Sequence, residues 1–372
     1  MSQSPQGPVP HRRGNEKGDV SPPAEDTSVP REPTRANFFP WLIAVGLILL
    51  VCGLGYRIWN GPRPQPQASQ EWYIPAEFNG ERAFGYLQEV VACGPRPSGS
   101  HGMQQQQQLL ESFFRQQAAD VRWQTFSITD PETGATTPLK NLIARFRPQA
   151  GNRVLLCTHY DTLPPLPETS QSTSAAEAIP SFLGANDGGS GVAALMEFSH
   201  HIDRLPESMG IDIVFFDGKS LAVPASAEGQ LLGANFFAKQ YVGQQETERE
   251  TFVPYQAGVL LDMVGDRELQ LYYERNSWNY AREQTVEIWS TAKRLDITAF
   301  RPRIKHVVRD DHLPLNRIAH IPTAAIIDFD YPRPGLKYPT YRSSPEDTLD
   351  KCSGQSLVAV VYVLHQWLQT AR

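Results

Sequence analysis

The chain contains 372 residues, of which 40% are hydrophobic and 20% are charged, a composition typical of a globular protein. Its 34 Lys and Arg residues and 40 Asp and Glu residues give a formal net charge of −6, without a cluster of basic side chains. No general affinity for nucleic acid is expected, because the phosphate backbone requires clustered positive charge. The four cysteines are too few for a disulfide framework and form no C-x-x-C pair, which argues against a zinc knuckle.

The N-terminal part of the chain predicts a tail followed by a membrane anchor. Residues 1–36 are rich in Pro, Gly, Ser and charge, and predict a disordered tail because they can bury little apolar surface. Residues 38–56 then run for 19 positions without a charged side chain. At ~1.5 Å per residue, such a helix just spans a hydrocarbon core ~30 Å thick. We therefore predict a transmembrane helix over residues 37–59 that contacts the lipid bilayer through residues 38–56.

A secretory signal peptide is the competing interpretation of this apolar segment. Signal peptides have a shorter apolar stretch and a small-residue cleavage site, and neither is found here. Residues 60–70 form a Pro-rich linker, and residues 71–372 form the globular domain. Because the tail is short, we expect a single-pass membrane protein with its globular domain on the extracytoplasmic side.

The globular region alternates short apolar segments with helical ones. Strands are predicted at residues 141–146, 154–158, 211–216, 258–263 and 323–328. Helices are predicted at residues 189–204, 229–241, 279–293 and 354–369, and a further helix contains the glutamine run 104–108. This alternation predicts an α/β domain with a mainly parallel sheet whose two faces are covered by helices. Ligands of such folds bind at the carboxyl ends of the strands.

Polar side chains follow several of the predicted strands. His159 and Asp161 follow one strand, Asp262 ends another, Asp187 lies in a Gly-rich turn before a helix, and Asp310 begins a D-D-H segment. Each has a structural explanation by itself, such as capping a helix or closing a turn. Together, one histidine and several carboxylates at one end of a sheet favour a site for a divalent metal.

Several segments in this order resemble a known family. They are GPRPSGSHG (94–102), THYDT (158–162), GANDGGSGVAALME (184–197), FFDG (215–218), LLGANFFA (231–238), LLDMVG (260–265), DDHLP (310–314) and EDTLDKCS (346–353). The chain is similar to the zinc-dependent aminopeptidases and, within them, to the glutaminyl-peptide cyclotransferases, or glutaminyl cyclases. The resemblance covers residues 75–372 and implies a twisted mixed, mostly parallel sheet between helices.

The resemblance implies one half of a metal centre. His159, Asp187 and Asp262 match the three ligands of the first zinc ion, and Asp187 matches the carboxylate that bridges to a second ion. Asp161 matches the partner that orients the histidine. Asp310 matches the aspartate that forms hydrogen bonds in the cyclase active site, and is the candidate catalytic residue that this chain retains.

The other half of the family's site is replaced. Lys219 occupies the position of the glutamate that acts as general base or acid, and Ser220 occupies that of a glutamate zinc ligand. Ser343 stands in place of the histidine zinc ligand, with Arg342 before it. The tryptophan of the cyclase substrate pocket corresponds to Ala225. An alternative alignment makes Glu228 a substitute ligand, although the spacing from FFDG to LLGA fits the cyclases without a gap.

Cyclisation joins the α-amine of an N-terminal glutamine to its own side-chain amide carbon and releases ammonia. In the family, zinc polarises the amide carbonyl and a glutamate transfers the proton. Without that glutamate and two of the zinc ligands, we expect standard cyclase and peptidase catalysis to be impaired or lost. We expect one zinc ion at most, and peptide or protein N-termini as candidate ligands.

Three alternatives remain open from the sequence. The chain is an enzyme with altered chemistry, a non-catalytic descendant that binds peptides or proteins, or a hydrolase that uses one metal held by His159, Asp187 and Asp262. In the non-catalytic case, Lys219 is expected to point at the carboxylates and replace the charge of the ion. The sequence also leaves open whether Cys93 and Cys352 form a disulfide.

Overall fold

Six strands form the central sheet of the computed structural model, which describes residues 72–117, 120–164, 182–221, 231–330 and 341–370. The strands are β1 (Asp120–Thr129), β2 (Thr136–Phe146), β3 (Asn152–His159), β4 (Met209–Phe216), β5 (Tyr255–Asp262) and β8 (Thr323–Ile327). Their order across the sheet is β1-β2-β4-β3-β5-β8. The neighbours β4, β3, β5 and β8 pair in parallel, whereas β2 pairs antiparallel with both β4 and β1. The expected mixed, mostly parallel sheet is confirmed.

Both faces of this sheet are covered, as the apolar strand sequences predict. Every residue of β4 and β8 is buried. In β3, Val154 and Leu156 point into one apolar cluster, and Leu155 and Cys157 point into the other. This division follows from the two-residue side-chain period of a strand.

Helices supply the outer layers. They are α1 (Gly80–Ala92), α2 (His101–Gln116), α3 (Gly191–Ser199), α4 (Leu232–Thr247), α5 (Arg275–Tyr280), α6 (Arg282–Arg294), α7 (His312–Arg317) and α8 (Gly354–Thr370). Residues of α1, α2, α3, α6 and α8 share one cluster with the sheet, and residues of α4 and α7 share the other.

The structure corrects several predicted elements. The helix expected at 189–204 ends at Ser199 and is followed by a 3-10 turn, Ile202–Arg204. The helix expected at 279–293 is two helices, because Ala281 leaves the helical conformation with φ −138° and ψ 44°. The strand β1, the helices α1 and α7, and the small parallel sheet of β6 (Leu271–Glu274) and β7 (Phe300–His306) were not predicted.

The described residues all belong to one unit, Ala68–Arg372. The predicted tail, membrane helix and most of the linker lie outside the described residues and stay predictions. Among the described residues, no helix has the length and apolar composition needed to cross a membrane. Cys93 and Cys352 both carry free thiols, so they do not form a disulfide with each other.

Candidate metal centre

The predicted site residues meet at the carboxyl ends of the parallel strands. His159 is the last residue of β3 and Asp262 is the last residue of β5. Lys219 comes three residues after the end of β4. The parallel pairing of β4, β3 and β5 places these ends side by side, as expected for an α/β sheet.

Two glycines bring Asp187 against this edge. Asp187 lies in the irregular turn Asn186–Ser190, in which Gly188 adopts φ 89°. A Cβ atom at Gly188 would lie 2.6 Å from the main-chain oxygen of Asp161, and one at Gly191 would lie 2.2 Å from Thr158 Oγ1. Only glycine therefore lets the turn and the first residue of α3 approach the sheet this closely.

His159, Asp187 and Asp262 form a cluster that could hold a metal ion. His159 Nε2 lies 3.2 Å from Asp187 Oδ1 and 3.1 Å from Asp262 Oδ1. The three ligand atoms lie within 4.8 Å of one another. Ligands ~2.0–2.2 Å from a tetrahedral zinc ion are ~3.3 Å apart, so both the spacing and the nitrogen–oxygen donor set fit zinc.

Asp161 orients the histidine in a way that the sequence did not predict. His159 Nδ1 lies 3.1 Å from the main-chain oxygen of Asp161, whereas the nearer carboxylate oxygen is 3.5 Å away. The carboxylate instead accepts hydrogen bonds from the main-chain N–H groups of Lys219 and Ser220, at 3.1 and 2.7 Å. Asp161 therefore positions both His159 and the turn that carries Lys219.

Lys219 points into the cluster of carboxylates. Its ammonium forms an ion pair with Asp262 Oδ2 and lies 3.0 Å from Asp310 Oδ1. The side chain is 16% exposed, so this pair is shielded from most of the solvent. Lys219 thus joins a candidate metal ligand to the candidate catalytic residue Asp310.

The carboxylates hold both basic groups in their charged forms. Burial acts to lower the pKa of Lys219, but Asp262, Asp310 and Asp187 outweigh it and raise that pKa well above its usual value. Burial and Lys219 act to lower the pKa of His159, but Asp262, Asp161 and Asp187 prevail and raise it. Burial acts to raise the pKa of Asp262, but Lys219 and His159 lower it below its usual value.

Asp310 and Asp311 are buried beside this cluster and are poorly satisfied. Asp310 Oδ2 and both carboxylate oxygens of Asp311 have no hydrogen-bond partner. Burial, together with the neighbouring Asp310, raises the pKa of Asp311 to about 8. Asp311 is therefore mostly protonated at neutral pH, which avoids an unpaired buried charge.

The second zinc position of the family does not fit this chain. Asp187 is present, but serine hydroxyls at Ser220 and Ser343 are poor zinc ligands beside Glu or His. Ser343 is exposed and has φ 53°, and Ser220 contributes its main-chain N–H to Asp161. Glu228 and Ala225 lie outside the described residues, so the substitute ligand stays a hypothesis.

Two residues outside the predicted set of site residues hold the site together. Asp347 accepts hydrogen bonds from the main-chain N–H groups of Asn186 and Asp187, at 2.8 and 2.9 Å. Arg96 is fully buried and donates to the main-chain oxygens of Leu183 and Gly184, which lead into the same turn. Both lie in the family-like segments, but their partners are distant in sequence.

Comparison with known proteins agrees with this geometry. Residues 141–368 match the sequence profile of peptidase family M28. The chain is similar to the solved structure of Fimbriiglobus ruber glutaminyl cyclase, with 31% identity, a TM-score of 0.69, and coverage of 84% of this chain and 100% of that chain. It is similar to Porphyromonas gingivalis glutaminyl cyclase at 28% identity and a TM-score of 0.66, covering 79% of this chain and 98% of that one.

A Zn-dependent exopeptidase from Parabacteroides distasonis is also similar, with 26% identity, a TM-score of 0.67, and coverage of 79% of this chain and 98% of that chain. Comparison with curated proteins gave no match. The profile match spans more than half of the chain, and the fold and site agree with it. This chain is a member of peptidase family M28.

Proposed function

We propose that this chain is a membrane-anchored, glutaminyl-cyclase-like protein that has lost standard zinc-dependent cyclisation and binds peptide or protein N-termini in the former active-site cleft. The observation that carries this proposal is the state of Lys219. A general base must accept a proton, but the ammonium of Lys219 is held by Asp262 and Asp310 and its pKa is raised. Lys219 therefore cannot replace the missing glutamate at neutral pH.

The loss of this group has a predictable cost. A general acid–base residue typically accelerates a reaction by ~10²–10⁴-fold. Ser220 and Ser343 stand where the related cyclases have zinc ligands. We therefore expect this chain also to lack the zinc ion that polarises the amide carbonyl in those cyclases. These two losses affect different parts of the transition state, so we expect their effects to combine.

The charge of the cleft supports a cationic ligand. Asp187 is 16% exposed and is the carboxylate of this cluster that a ligand can reach, whereas Asp262 and Asp310 are buried. The α-ammonium group of a peptide is a small cation that can donate hydrogen bonds to such carboxylates. Free N-termini of peptides or proteins therefore match the cleft better than blocked ones.

The test uses the full chain in detergent, with an N-terminal glutaminyl peptide and added zinc. We expect no ammonia release above the uncatalysed rate, and no mass loss from the peptide. The control variant combines Lys219→Glu, Ser220→Glu and Ser343→His, which restores the three family residues. The proposal would be overturned if the wild type cyclised the peptide and the Asp310→Asn variant did not.

Binding is measured with the same peptide and its N-acetylated form. We expect the free amine to bind and the acetylated peptide to bind at least about tenfold more weakly, because acetylation removes the positive charge. Asp187→Asn should weaken binding of the free peptide and reduce the difference between the two forms. Equal binding of both peptides would exclude recognition of the N-terminus.

A single-metal hydrolase is the second candidate, and one observation favours it. His159, Asp187 and Asp262 keep the spacing and donor types of a zinc site. A metal there would lower the pKa of a bound water and so supply a nucleophile. Zinc-dependent hydrolysis of an aminoacyl amide, abolished by His159→Ala, would establish this activity.

A further inference from the structure

The two carboxylate oxygens of Asp262 face different cations. Oδ1 lies 3.1 Å from His159 Nε2, on the side where the three candidate ligands converge. Oδ2 is paired with the ammonium of Lys219, which also reaches Asp310. A zinc ion at the His159 site would therefore compete with the Lys219 ammonium for the negative charge of one carboxylate.

We propose that Lys219 is the resident cation of this site: its ammonium balances the buried carboxylates in place of a divalent ion, and zinc binds only by displacing it from Asp262. The inference goes beyond the proposed function, because it concerns how the folded site is stabilised rather than whether it cyclises glutamine.

The surroundings of the site explain why a cation is required. Asp262 and Asp310 are almost completely buried, and buried carboxylates are costly unless they are paired. Asp161 is stabilised by two main-chain N–H groups and Asp187 by His159, whereas Asp310 is paired with Lys219. Without Lys219, both Asp262 and Asp310 would lose a positive partner.

The same geometry opposes a metal. The backbone of Lys219 is held by the hydrogen bond from its main-chain N–H to Asp161, and its ammonium is held by Asp262 and Asp310. Its ammonium is therefore held near the candidate ligands, where like charges repel strongly because solvent screening is weak. Zinc would also compete with Lys219 for the negative charge of Asp262.

The first measurement uses the full wild-type chain in detergent. After exposure to zinc and dialysis against zinc-free buffer, elemental mass spectrometry should find no bound zinc. The midpoint of thermal unfolding should be the same with and without a chelator, because the folded site contains its own cation. One retained zinc ion per chain, with a midpoint lowered by the chelator, would overturn the inference.

The second measurement removes the charge with Lys219→Met, which preserves the length of the side chain. We expect zinc binding, measured by titration calorimetry, to become at least about tenfold tighter, and thermal stability to become dependent on zinc. Adding His159→Ala should abolish this gain, which would locate the ion. If Lys219→Met folds only when zinc is present, that rescue also supports the inference.

Two control variants separate charge from a general effect of mutation. Lys219→Arg keeps the positive charge and should remain free of zinc, and Lys293→Met changes an exposed lysine of α6 and should behave as the wild type. Zinc affinity of Lys219→Met equal to that of the wild type would overturn the inference. Cyclisation by a zinc-free wild type would overturn the proposed function alone, whereas a zinc-bound but inactive wild type would overturn this inference alone.

Discussion

At the scale of single residues, Arg96 shows how one side chain determines the shape of the site. Its guanidinium donates to the main-chain oxygens of Gly94, Leu183 and Gly184 at 2.8–2.9 Å. Burial lowers the pKa of Arg96 to about 10, which still leaves it charged at neutral pH. Arg96 thus ties the segment before α2 to the turn that presents Asp187.

We expect Arg96→Lys to lower the free energy of unfolding by about 2 kcal/mol, because an ammonium cannot reproduce the planar set of donors and leaves buried carbonyl oxygens unpaired. The free energy of unfolding is measured by urea-induced unfolding of the detergent-solubilised chain. The matched control is Arg122→Lys, whose side chain is 62% exposed and which we expect to change stability by less than about 0.5 kcal/mol. Equal stability of the two variants would show that the contacts of Arg96 contribute nothing.

At the scale of elements, Glu274 connects parts of the chain that surround Asp310. It is the last residue of β6 and caps α5 by accepting from Ser277 N at 2.7 Å. It also accepts from Val308 N at 3.0 Å and contacts His312 Nε2, in α7, at 3.1 Å. Asp310 lies between Val308 and His312 in the chain, so the carboxylate of Glu274 helps to fix the position of Asp310.

The pKa of Glu274 predicts how stability depends on pH. Burial acts to raise this pKa, but His312 and the main-chain donors outweigh it and lower the pKa from 4.5 to about 2. A lowered pKa in the folded state means that stabilisation is present above pH 4.5 and is lost as the pH falls towards 2. The contribution is on the order of 3 kcal/mol.

The measurement compares urea unfolding of the wild type and Glu274→Gln across this range of pH. We expect the wild type to be more stable at neutral pH, and the difference to shrink as the pH falls from 4.5 to 2. Glu207→Gln, in an exposed position, serves as the control for the substitution itself. A difference that is independent of pH would contradict the assignment.

At the scale of the whole molecule, we propose that residues 38–56 anchor the chain in a membrane. Residues 38–56 supply the apolar run, and the globular unit follows them in sequence. We expect the full chain to stay in the membrane pellet after alkaline carbonate extraction. Protease added to the extracytoplasmic side should digest the globular domain.

Leu47→Arg combined with Leu50→Arg should release the chain from the pellet, because each arginine costs about 2.5–3.5 kcal/mol at the centre of a membrane helix. Leu47→Ile combined with Leu50→Ile preserves the apolar run and should behave as the wild type. Release of the wild type by carbonate would refute the anchor.

The sequence alone predicted the strands that carry the site, because β3, β4 and β5 are short and apolar and each ends at a polar residue or just before one. It did not predict β1, β6 and β7, because β6 is short and β1 and β7 contain several polar or charged residues. It predicted one helix where Ala281 separates two, because the periodicity of α5 and α6 does not reveal a change of backbone conformation at one residue.

By itself, the sequence determined the family and the identity of the retained and replaced site residues, because these depend on residue types in a fixed order. Only the tertiary structure decided which charged side chains pair with one another. Lys219 pairs with Asp262 and Asp310, which are 43 and 91 positions away in the chain. Such pairing depends on parallel strands bringing distant loops to one edge, and on burial that strengthens each ion pair.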